Sequence, residues 1–349
     1  MLVILAGAGA SKAVAPESYP TTIEFFENLP DSVKKDKFFD LIVQYLRVGG
    51  PRETKAIDIE QVLWALSELK DFLNLAGSSR SVPGWFLQAS RLTAPLSQKT
   101  DFSNLTKHTA QLCRLLDELV GQINRQVYEW YSRLPEDEAL EMTWAPVLRQ
   151  LLEGEDRLEI FTTNYDLVLE ATAQHLSNDR NLPEIAIGHT SGLQRRLDLD
   201  LWRQIQKGEG AKRGPGALVT KLHGSVDWSR QKDEIFISDP YYKGTETRHV
   251  ILYPGFKGVP DQQPFALFHS HFESAVSSAQ GILFVGFAFR DEYLNQVLAR
   301  ATPPRTRIVV VNPSEALPSM PFSGKRVSHI RQPFTAEVGL EAVKRLRKS

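Results

Sequence analysis

The sequence predicts an α/β protein with a doubly wound, mostly parallel, Rossmann-like sheet and a helical insertion subdomain. Three observations support this fold class. A short apolar run at residues 2–6 leads directly into a glycine turn, and several short runs rich in β-branched residues follow residue 158. Between these regions, residues 34–152 carry apolar residues at helical spacing. Strands that alternate with helical segments are typical of a parallel sheet covered by helices.

The first strand and the turn after it have the pattern of a phosphate-binding βα unit. Residues 2–6 are short and apolar enough for a buried strand, and the sequence GAGAS follows at 7–11. Glycines in such a turn let backbone N–H groups approach a pyrophosphate closely. Lys12 occupies the usual third glycine position, so the motif is incomplete. A secretory signal peptide is an alternative reading, although no Lys or Arg precedes the short apolar run.

Residues 34–152 are predicted to be mainly helical. Asp58 precedes a segment with helical periodicity and is predicted as its N-cap, and the polar stretch 77–104 is predicted as a loop. The apolar stripes are interpreted as core or as an oligomer face. Two stripes are expected on single helix faces: Phe38, Leu41, Ile42, Tyr45 and Leu46, and Leu112, Leu115, Leu116, Leu119, Ile123, Val127 and Trp130.

The remaining strands are predicted after residue 158. The runs 282–285 and 308–311 contain only apolar residues, which is typical of parallel strands buried on both faces. The predicted strands are Leu158–Thr162, Ala217–Leu222, His249–Tyr253, Ile282–Gly286 and Ile308–Val311, with an additional edge or hairpin strand at Asp233–Asp239.

Composition excludes several classes of protein. The 349 residues have a formal net charge of −1, so the chain lacks the basic footprint of a nucleic-acid-binding protein. Its single cysteine, Cys113, excludes an intrachain disulfide and any zinc site that needs two cysteines of this chain. No stretch approaches the roughly 18–20 apolar residues of a membrane-spanning helix. We therefore expect a cytoplasmic protein that does not bind membranes.

Four predicted strands end in segments with polar residues and glycines. GAGAS follows the first strand, and TTNYD, KLHGS and VGFAFRD begin at residues 162, 221 and 285. Ligands of open α/β sheets bind beyond the carboxyl ends of the strands, so these segments are expected to form a shared nucleotide site. Each also has a purely structural explanation: Asn164 or Asp166 as a helix cap, His223 as a core histidine, and Gly286 as a tight turn.

GAGAS, TTNYD, KLHG, VGFAFRD and VNPS, in this order, resemble the sirtuin-like NAD-binding domain, most closely that of bacterial sirtuin-like NADases of antiphage defence systems. The resemblance covers residues 1–25 and 158–315, and it implies one such domain over 1–349 with 34–152 as an insertion. Sirtuin deacylases have a zinc ribbon with four cysteines, which one cysteine cannot supply. Residues 19–22 read YPTT where the deacylases have a PDFR-like signature. The resemblance therefore implies hydrolysis of NAD, with no zinc ribbon and no metal.

The same resemblance implies roles for individual residues. Asn164 would orient the ribose or a water, because an amide both donates and accepts hydrogen bonds. His223 would be the general base, since histidine titrates near neutral pH, and Asp166 would orient the ribose or the nicotinamide amide. Contacts with the rest of NAD are implied for Gly7, Ala8, Gly9, Ser11, Thr163, Gly286, Phe287 and Asn312.

The resulting prediction is an NAD⁺ glycohydrolase that uses NAD as substrate. Because an unrestrained NADase would kill its host, the resemblance also implies regulation by homo-oligomerisation, a nucleotide signal or a partner such as an ATPase. The alternatives are a non-catalytic sensor that binds NAD or ADP-ribose, and a protein deacylase or ADP-ribosyltransferase. A further alternative is an effector subunit whose main role is assembly with an ATPase or a nuclease.

Overall fold

The computed structural model describes residues 1–48, 57–76, 102–154, 157–191, 194–207, 216–238, 248–252, 262–315, 317, 320–322 and 327–347. These residues form two compact units. The larger unit combines Met1–Thr21 with the described parts of Tyr128–Leu252 and Phe256–Ser349, and the smaller one is formed by Thr22–Val127.

The larger unit contains a seven-stranded sheet and a separate three-stranded sheet. The seven strands lie in the order β10-β9-β8-β1-β2-β4-β3, and all their pairings are parallel. The smaller sheet has the order β6-β5-β7 and is antiparallel. The strands are β1 Leu2–Ala6, β2 Leu158–Thr162, β3 Ile185–Ala186, β4 Ala217–Lys221, β5 Gly224–Gln231, β6 Glu234–Ile237, β7 Arg248–Ile251, β8 Gly281–Val285, β9 Arg307–Val311 and β10 Val327–Ile330.

The predicted fold class is confirmed, because helices alternate with the strands of a mostly parallel, doubly wound sheet. The helices are α1 Ala8–Val14, α2 Thr22–Glu27, α3 Asp31–Lys34, α4 Lys37–Val48, α5 Ile59–Ala76, α6 Phe102–Tyr131, α7 Asp137–Glu141, α8 Trp144–Leu152, α9 Val168–Leu176, α10 Leu199–Gln206, α11 Phe265–Ser277, α12 Glu292–Ala301 and α13 Ala336–Arg347. None of the described helices is long and apolar enough to cross a membrane.

The centre of the parallel sheet is fully buried. Every residue of β1, β2, β4 and β8 is buried, as expected for strands covered by helices on both faces. The chain adds β2, β3 and β4 on one side of β1 and later adds β8, β9 and β10 on the other. The strand order therefore reverses at β1, and this is the position at which open α/β sheets bind ligands.

The helical region differs in detail from the sequence prediction. Residues 128–152 belong to the larger unit, because α8 packs on α9 and α13 and the ring of Trp144 lies 4.6 Å from that of Phe334. The predicted N-cap is confirmed, because Asp58 Oδ1 accepts a hydrogen bond from Gln61 N–H at 3.0 Å. The loop predicted at 77–104 lies mostly outside the described residues, as does the end of the strand predicted at His249–Tyr253.

Candidate functional site

The glycine turn after β1 packs backbone against backbone on the end of β8. Gly7 N–H donates to Val285 O at 2.9 Å, and Gly9 N–H donates to Gly286 O at 3.1 Å. Gly286 has φ +58°, and a Cβ there would lie 2.2 Å from Ala10 N. These contacts require glycine, because a side chain would force the two turns apart. Two N–H groups of the predicted phosphate cradle are thus hydrogen-bonded within the protein, and the half-buried Ala8 lies between them.

Asn164 lies just beyond β2, and its side chain faces the glycine turn. Its Nδ2 donates to Gly7 O at 2.9 Å and to Ser11 Oγ at 2.7 Å. A backbone carbonyl only accepts hydrogen bonds, so the amide nitrogen faces Gly7 and the amide oxygen faces away. No described residue donates to that Oδ1. Asn164 is thus held through both amide protons and keeps one acceptor for a ligand.

Ser11 connects Asn164 with Asp166. The Ser11 hydroxyl accepts from Asn164 and donates to the Asp166 carboxylate, whose Oδ1 also accepts from Val168 N–H at 3.0 Å. Complete burial raises the pKa of Asp166, while Lys221 and these hydrogen bonds act in the opposite direction. Asp166 precedes Leu167, the N-cap residue of α9, and its carboxylate accepts from the first N–H of that helix. Ser11, Asn164 and Asp166 line a small cavity together with Trp144 and Glu170.

Lys221 was not predicted as a site residue, although it is the one charged residue of β4. It is 3% exposed, and its ammonium donates to Glu170 Oε1 at 2.8 Å and to the backbone carbonyls of Tyr165 and Asp166. A lysine at the end of a strand without other charged residues was the signal in the sequence. Its contacts fix the segment that carries Asn164.

His223 follows β4 and is held by a carboxylate from another part of the chain. It is 2% exposed, and its Nε2 lies 3.0 Å from Asp291 Oδ2. The other oxygen of Asp291 accepts from Leu294 N–H at 2.9 Å and caps α12. Burial acts to raise the pKa of Asp291, but the hydrogen bond and charge of His223 together with the cap lower it overall. The second ring nitrogen, Nδ1, is buried and has no partner among the described residues.

A second buried histidine lies beside His223. The two rings are stacked with centroids 6.4 Å apart, and His269 Nε2 lies 3.2 Å from Leu222 O. Burial, and secondarily the charge of His223, lowers the pKa of His269 to about 4. His269 is thus neutral at physiological pH, and it packs against the ring of Tyr293 at 5.2 Å. Sequence reasoning did not select it.

The other predicted residues lie at neighbouring strand ends. Thr163 N–H donates to Ala6 O at 3.2 Å, and Asn312 Nδ2 donates to Phe287 O at 3.0 Å. The ring of Phe287 is buried in an aromatic cluster with Phe284 and Phe289. The predicted residues thus share one edge of the sheet but form three hydrogen-bonded groups. Those groups are Asn164 with Gly7, Ser11 and Asp166; His223 with Asp291; and Asn312 with Phe287.

The described residues contain no cluster of three or more His, Cys, Asp or Glu side chains that could hold a metal ion. Within the described part of the chain, no hydrogen bond joins the side chains of Asn164 and His223. Their segments are nevertheless adjacent, because Leu222 N–H donates to Thr162 O at 2.8 Å and Val226 N–H to Tyr165 O at 3.0 Å.

Three comparisons relate the chain to known proteins. No curated protein matches it significantly. Among solved structures, it resembles a Sir2 homologue in complex with 2′-O-acetyl ADP-ribose (15% identity, 99% of this chain and 91% of that chain, TM-score 0.43). It also resembles a Sir2 homologue with ADP-ribose (16%, 99% and 91%, TM-score 0.40) and a Sir2 homologue with NAD (15%, 99% and 89%, TM-score 0.34). Residues 158–316, which carry Asn164, His223 and Asp291, match the family of the SIR2-like domain.

Proposed function

We propose that the protein is an NAD⁺ glycohydrolase that converts NAD⁺ and water into nicotinamide and ADP-ribose. One observation carries the proposal. Two adjacent segments of the SIR2-like match, beyond β2 and β4, carry Asn164 and His223; among the described residues, the Asn164 amide oxygen and the His223 ring nitrogen Nδ1 have no hydrogen-bond partner. A ribose hydroxyl or a water can hydrogen-bond both atoms, and a buried polar atom without a partner, such as His223 Nδ1, is costly to the fold.

In this reaction the bond between the anomeric ribose carbon and the nicotinamide nitrogen breaks. The bonding electrons leave with nicotinamide, which becomes neutral, and positive charge develops on the ribose. A water oxygen bonds to the anomeric carbon and loses a proton. We assign that proton, or the proton of an activating ribose hydroxyl, to the acceptor of His223, and we assign ribose orientation to the acceptor of Asn164.

The remaining assignments follow the same edge of the sheet. Asp166 would orient the ribose or the nicotinamide amide from the cavity that it lines with Ser11 and Asn164. We assign the phosphates to the turn Gly7–Ser11 and Gly286. Phe287 and Asn312 would lie toward the adenosine ribose, and Thr163 beside the nicotinamide ribose. No step of the proposed reaction requires a metal ion.

We further propose that the activity is restrained in the cell and serves antiphage defence by NAD depletion. A cell that carries an unrestrained NADase would lose its NAD pool, so the active form is assigned to a homo-oligomer or to a complex with a partner such as an ATPase. Light scattering after size-exclusion chromatography, run alongside the activity assay at several protein concentrations, tests whether turnover follows assembly.

Nicotinamide release from NAD⁺ tests the proposed reaction. The assay uses wild type, Asn164→Ala and His223→Ala over a range of protein concentrations, each also in a bacterial host whose NAD content is measured after induction. We expect wild type to release nicotinamide and each variant to lose about 10²–10⁴-fold of the rate. His175→Ala is the matched control, because among the described residues the ring nitrogens of His175 pair with Asp137 and Glu141, which lie outside the candidate site. A wild type that leaves NAD intact in the host and in vitro, at every protein concentration and with each candidate nucleotide activator and partner protein, would refute the proposal.

A further inference from the structure

Asp291 presents its two carboxylate oxygens to two different donors. One oxygen accepts from Leu294 N–H at 2.9 Å and fixes the carboxylate at the start of α12, while the other lies 3.0 Å from His223 Nε2. The Asp291 side chain is 10% exposed and the His223 side chain 2% exposed, so the pair is shielded from solvent. A carboxylate with one oxygen fixed by a helix cap holds its other oxygen in a defined direction.

The pairing determines which nitrogen of His223 carries the proton. An ionised carboxylate only accepts hydrogen bonds, so Nε2 must be the donor. In the neutral ring the lone pair then lies on Nδ1, which is buried and has no hydrogen-bond partner among the described residues. The second ring nitrogen of a histidine is set by the bond that the first one makes.

We propose that Asp291 is a positioning residue for His223: it fixes the ring as the Nε2–H tautomer and so leaves Nδ1 as the proton acceptor of the reaction. The role of Nδ1 as proton acceptor rests on the proposed function. The tautomer does not, because it is a property of the protein without substrate. Asp291 does not touch substrate in this assignment. It acts through His223, as the aspartate of a Ser-His-Asp triad acts through its histidine.

Asp291→Asn tests the proposal because it changes the tautomer and spares the cap. Asparagine is as good an N-cap as aspartate, and its amide oxygen can still accept from Leu294 N–H. The amide NH₂ then faces His223, and because it only donates, Nε2 must accept. The ring proton moves to Nδ1, which can no longer accept a proton from water or from a ribose hydroxyl.

The matched control is Asp198→Asn. Asp198 also caps its helix, α10, by accepting from Asp200 N–H at 3.1 Å, and none of its hydrogen bonds to described residues involves a residue of the site. Asp291→Ser is a second test variant, because serine also caps a helix but its shorter side chain does not accept from His223 Nε2–H as the carboxylate does. It separates loss of the cap from loss of the partner.

Two readouts are used. The first is the ¹⁵N NMR spectrum of histidine-labelled protein at mildly alkaline pH, with the His223 signals assigned from their absence in His223→Gln. We expect the proton on Nε2 in wild type and on Nδ1 in Asp291→Asn. The second is nicotinamide release: kcat is expected to fall about 10²–10⁴-fold in Asp291→Asn with KM changed less than threefold, and to stay at the wild-type value in Asp198→Asn.

The outcomes separate this proposal from the proposed function. A wild-type spectrum with the proton on Nδ1 overturns the assignment, whatever the activity, and so does an Asp291→Asn enzyme with wild-type kcat. If wild type releases no nicotinamide at any protein concentration or with any candidate activator, the glycohydrolase is refuted, and the spectra alone decide the assignment of the tautomer. If Asp291→Asn does not fold, the wild-type spectrum and the kcat of Asp291→Ser, expected to be similarly low, decide it.

Discussion

Asn164 and His223 follow neighbouring strands, but the protein holds their side chains in different ways. Asn164 uses both amide protons on the first turn of the chain, and the buried Lys221 fixes the backbone beside it. His223 is held at one ring nitrogen by a helix cap 68 residues away in the sequence. Several hydrogen bonds fix the position of Asn164, so losing one of them should leave it in place. The orientation of the His223 ring depends on the single carboxylate of Asp291. We expect substitutions near Asn164 to affect stability most and those near His223 to affect chemistry most.

The buried ion pair should give the largest effect on stability. In Lys221→Met, Glu170 would remain nearly buried without its cation, and the carbonyls of Tyr165 and Asp166 would lose the lysine ammonium as a donor. The free energy of unfolding should fall by about 3–5 kcal/mol, measured by urea denaturation. Lys35→Met is the matched control: its pair with Asp31 is 77% and 78% exposed, so the change should stay under about 1 kcal/mol. Equal effects of the two variants would contradict this account.

Gly286→Ala should destabilise the contact between the glycine turn and β8. The φ of +58° and the 2.2 Å approach to Ala10 N leave no place for a Cβ, so we expect a loss of about 1–3 kcal/mol in the free energy of unfolding. Gly121→Ala has nothing within 4 Å of its added Cβ and lies in a helix, so it should stabilise the protein by up to about 1 kcal/mol. Thermal denaturation of both variants distinguishes them, and a stable Gly286→Ala would mean that the two turns can separate at little cost.

The two regions should also respond to pH with opposite signs. Near Lys221, burial and then the charge of Glu170 raise the pKa of Asp227 to about 6. An unfolded aspartate ionises near pH 4, so the unfolded state binds fewer protons between about pH 4 and 6, and the free energy of unfolding falls as the pH rises through this range. Asp227→Asn should remove that decline, which amounts to about 3 kcal/mol at neutral pH. Urea denaturation at pH 4 to 7 gives the measurement, and an unchanged slope would contradict the assignment.

Near His223 the dependence is reversed. Burial lowers the pKa of His269 to about 4, so the unfolded state takes up a proton first as the pH falls from about 6.5 to 4, and stability is lost over that range. His269→Gln keeps a donor for Leu222 O and has no titration, so its free energy of unfolding should depend less on pH by up to about 1.4 kcal/mol per pH unit. The same denaturation series checks it. His329→Gln, on the partly buried β10, serves as the histidine control.

The sequence predicted the strands of the parallel sheet better than it predicted which side chains pair across the fold. Leu158–Thr162 was predicted with its observed bounds, because a short run that favours β-structure and ends in polar residues indicates a strand without reference to anything distant in the sequence. Val327–Ile330 was missed, because this strand has two polar residues and partial burial. Leu41 and Tyr45, from a stripe interpreted as core or as an oligomer face, are 60% and 46% exposed and do not belong to the core; the oligomer face stays a prediction for them.

The residues of the candidate site were likewise easier to predict than their partners. Asn164 and His223 could be found because each follows a strand, and strand ends meet at one edge of a parallel sheet. Asp291 was inside a segment recognised in the sequence, but its partner could not be predicted. Only the folded chain brings the start of α12 to the end of β4. Whether the predicted residues bind NAD remains a prediction for the nicotinamide assay to decide.

The position of β1 has a consequence for the order in which the protein is made. Leu2 pairs with Leu158 on one side and with Gly281 on the other, so the strand at the start of the chain is the centre of the finished sheet. On the ribosome, β1 has no parallel neighbour until β2 emerges. The hydrogen bonds that join Gly7 and Gly9 to the end of β8 cannot form until β8 is synthesised. Contacts so distant in sequence slow folding. A nascent chain stalled before β8 would therefore expose an unpaired edge of β1, and the proposed NADase site would not exist until β8 has been synthesised.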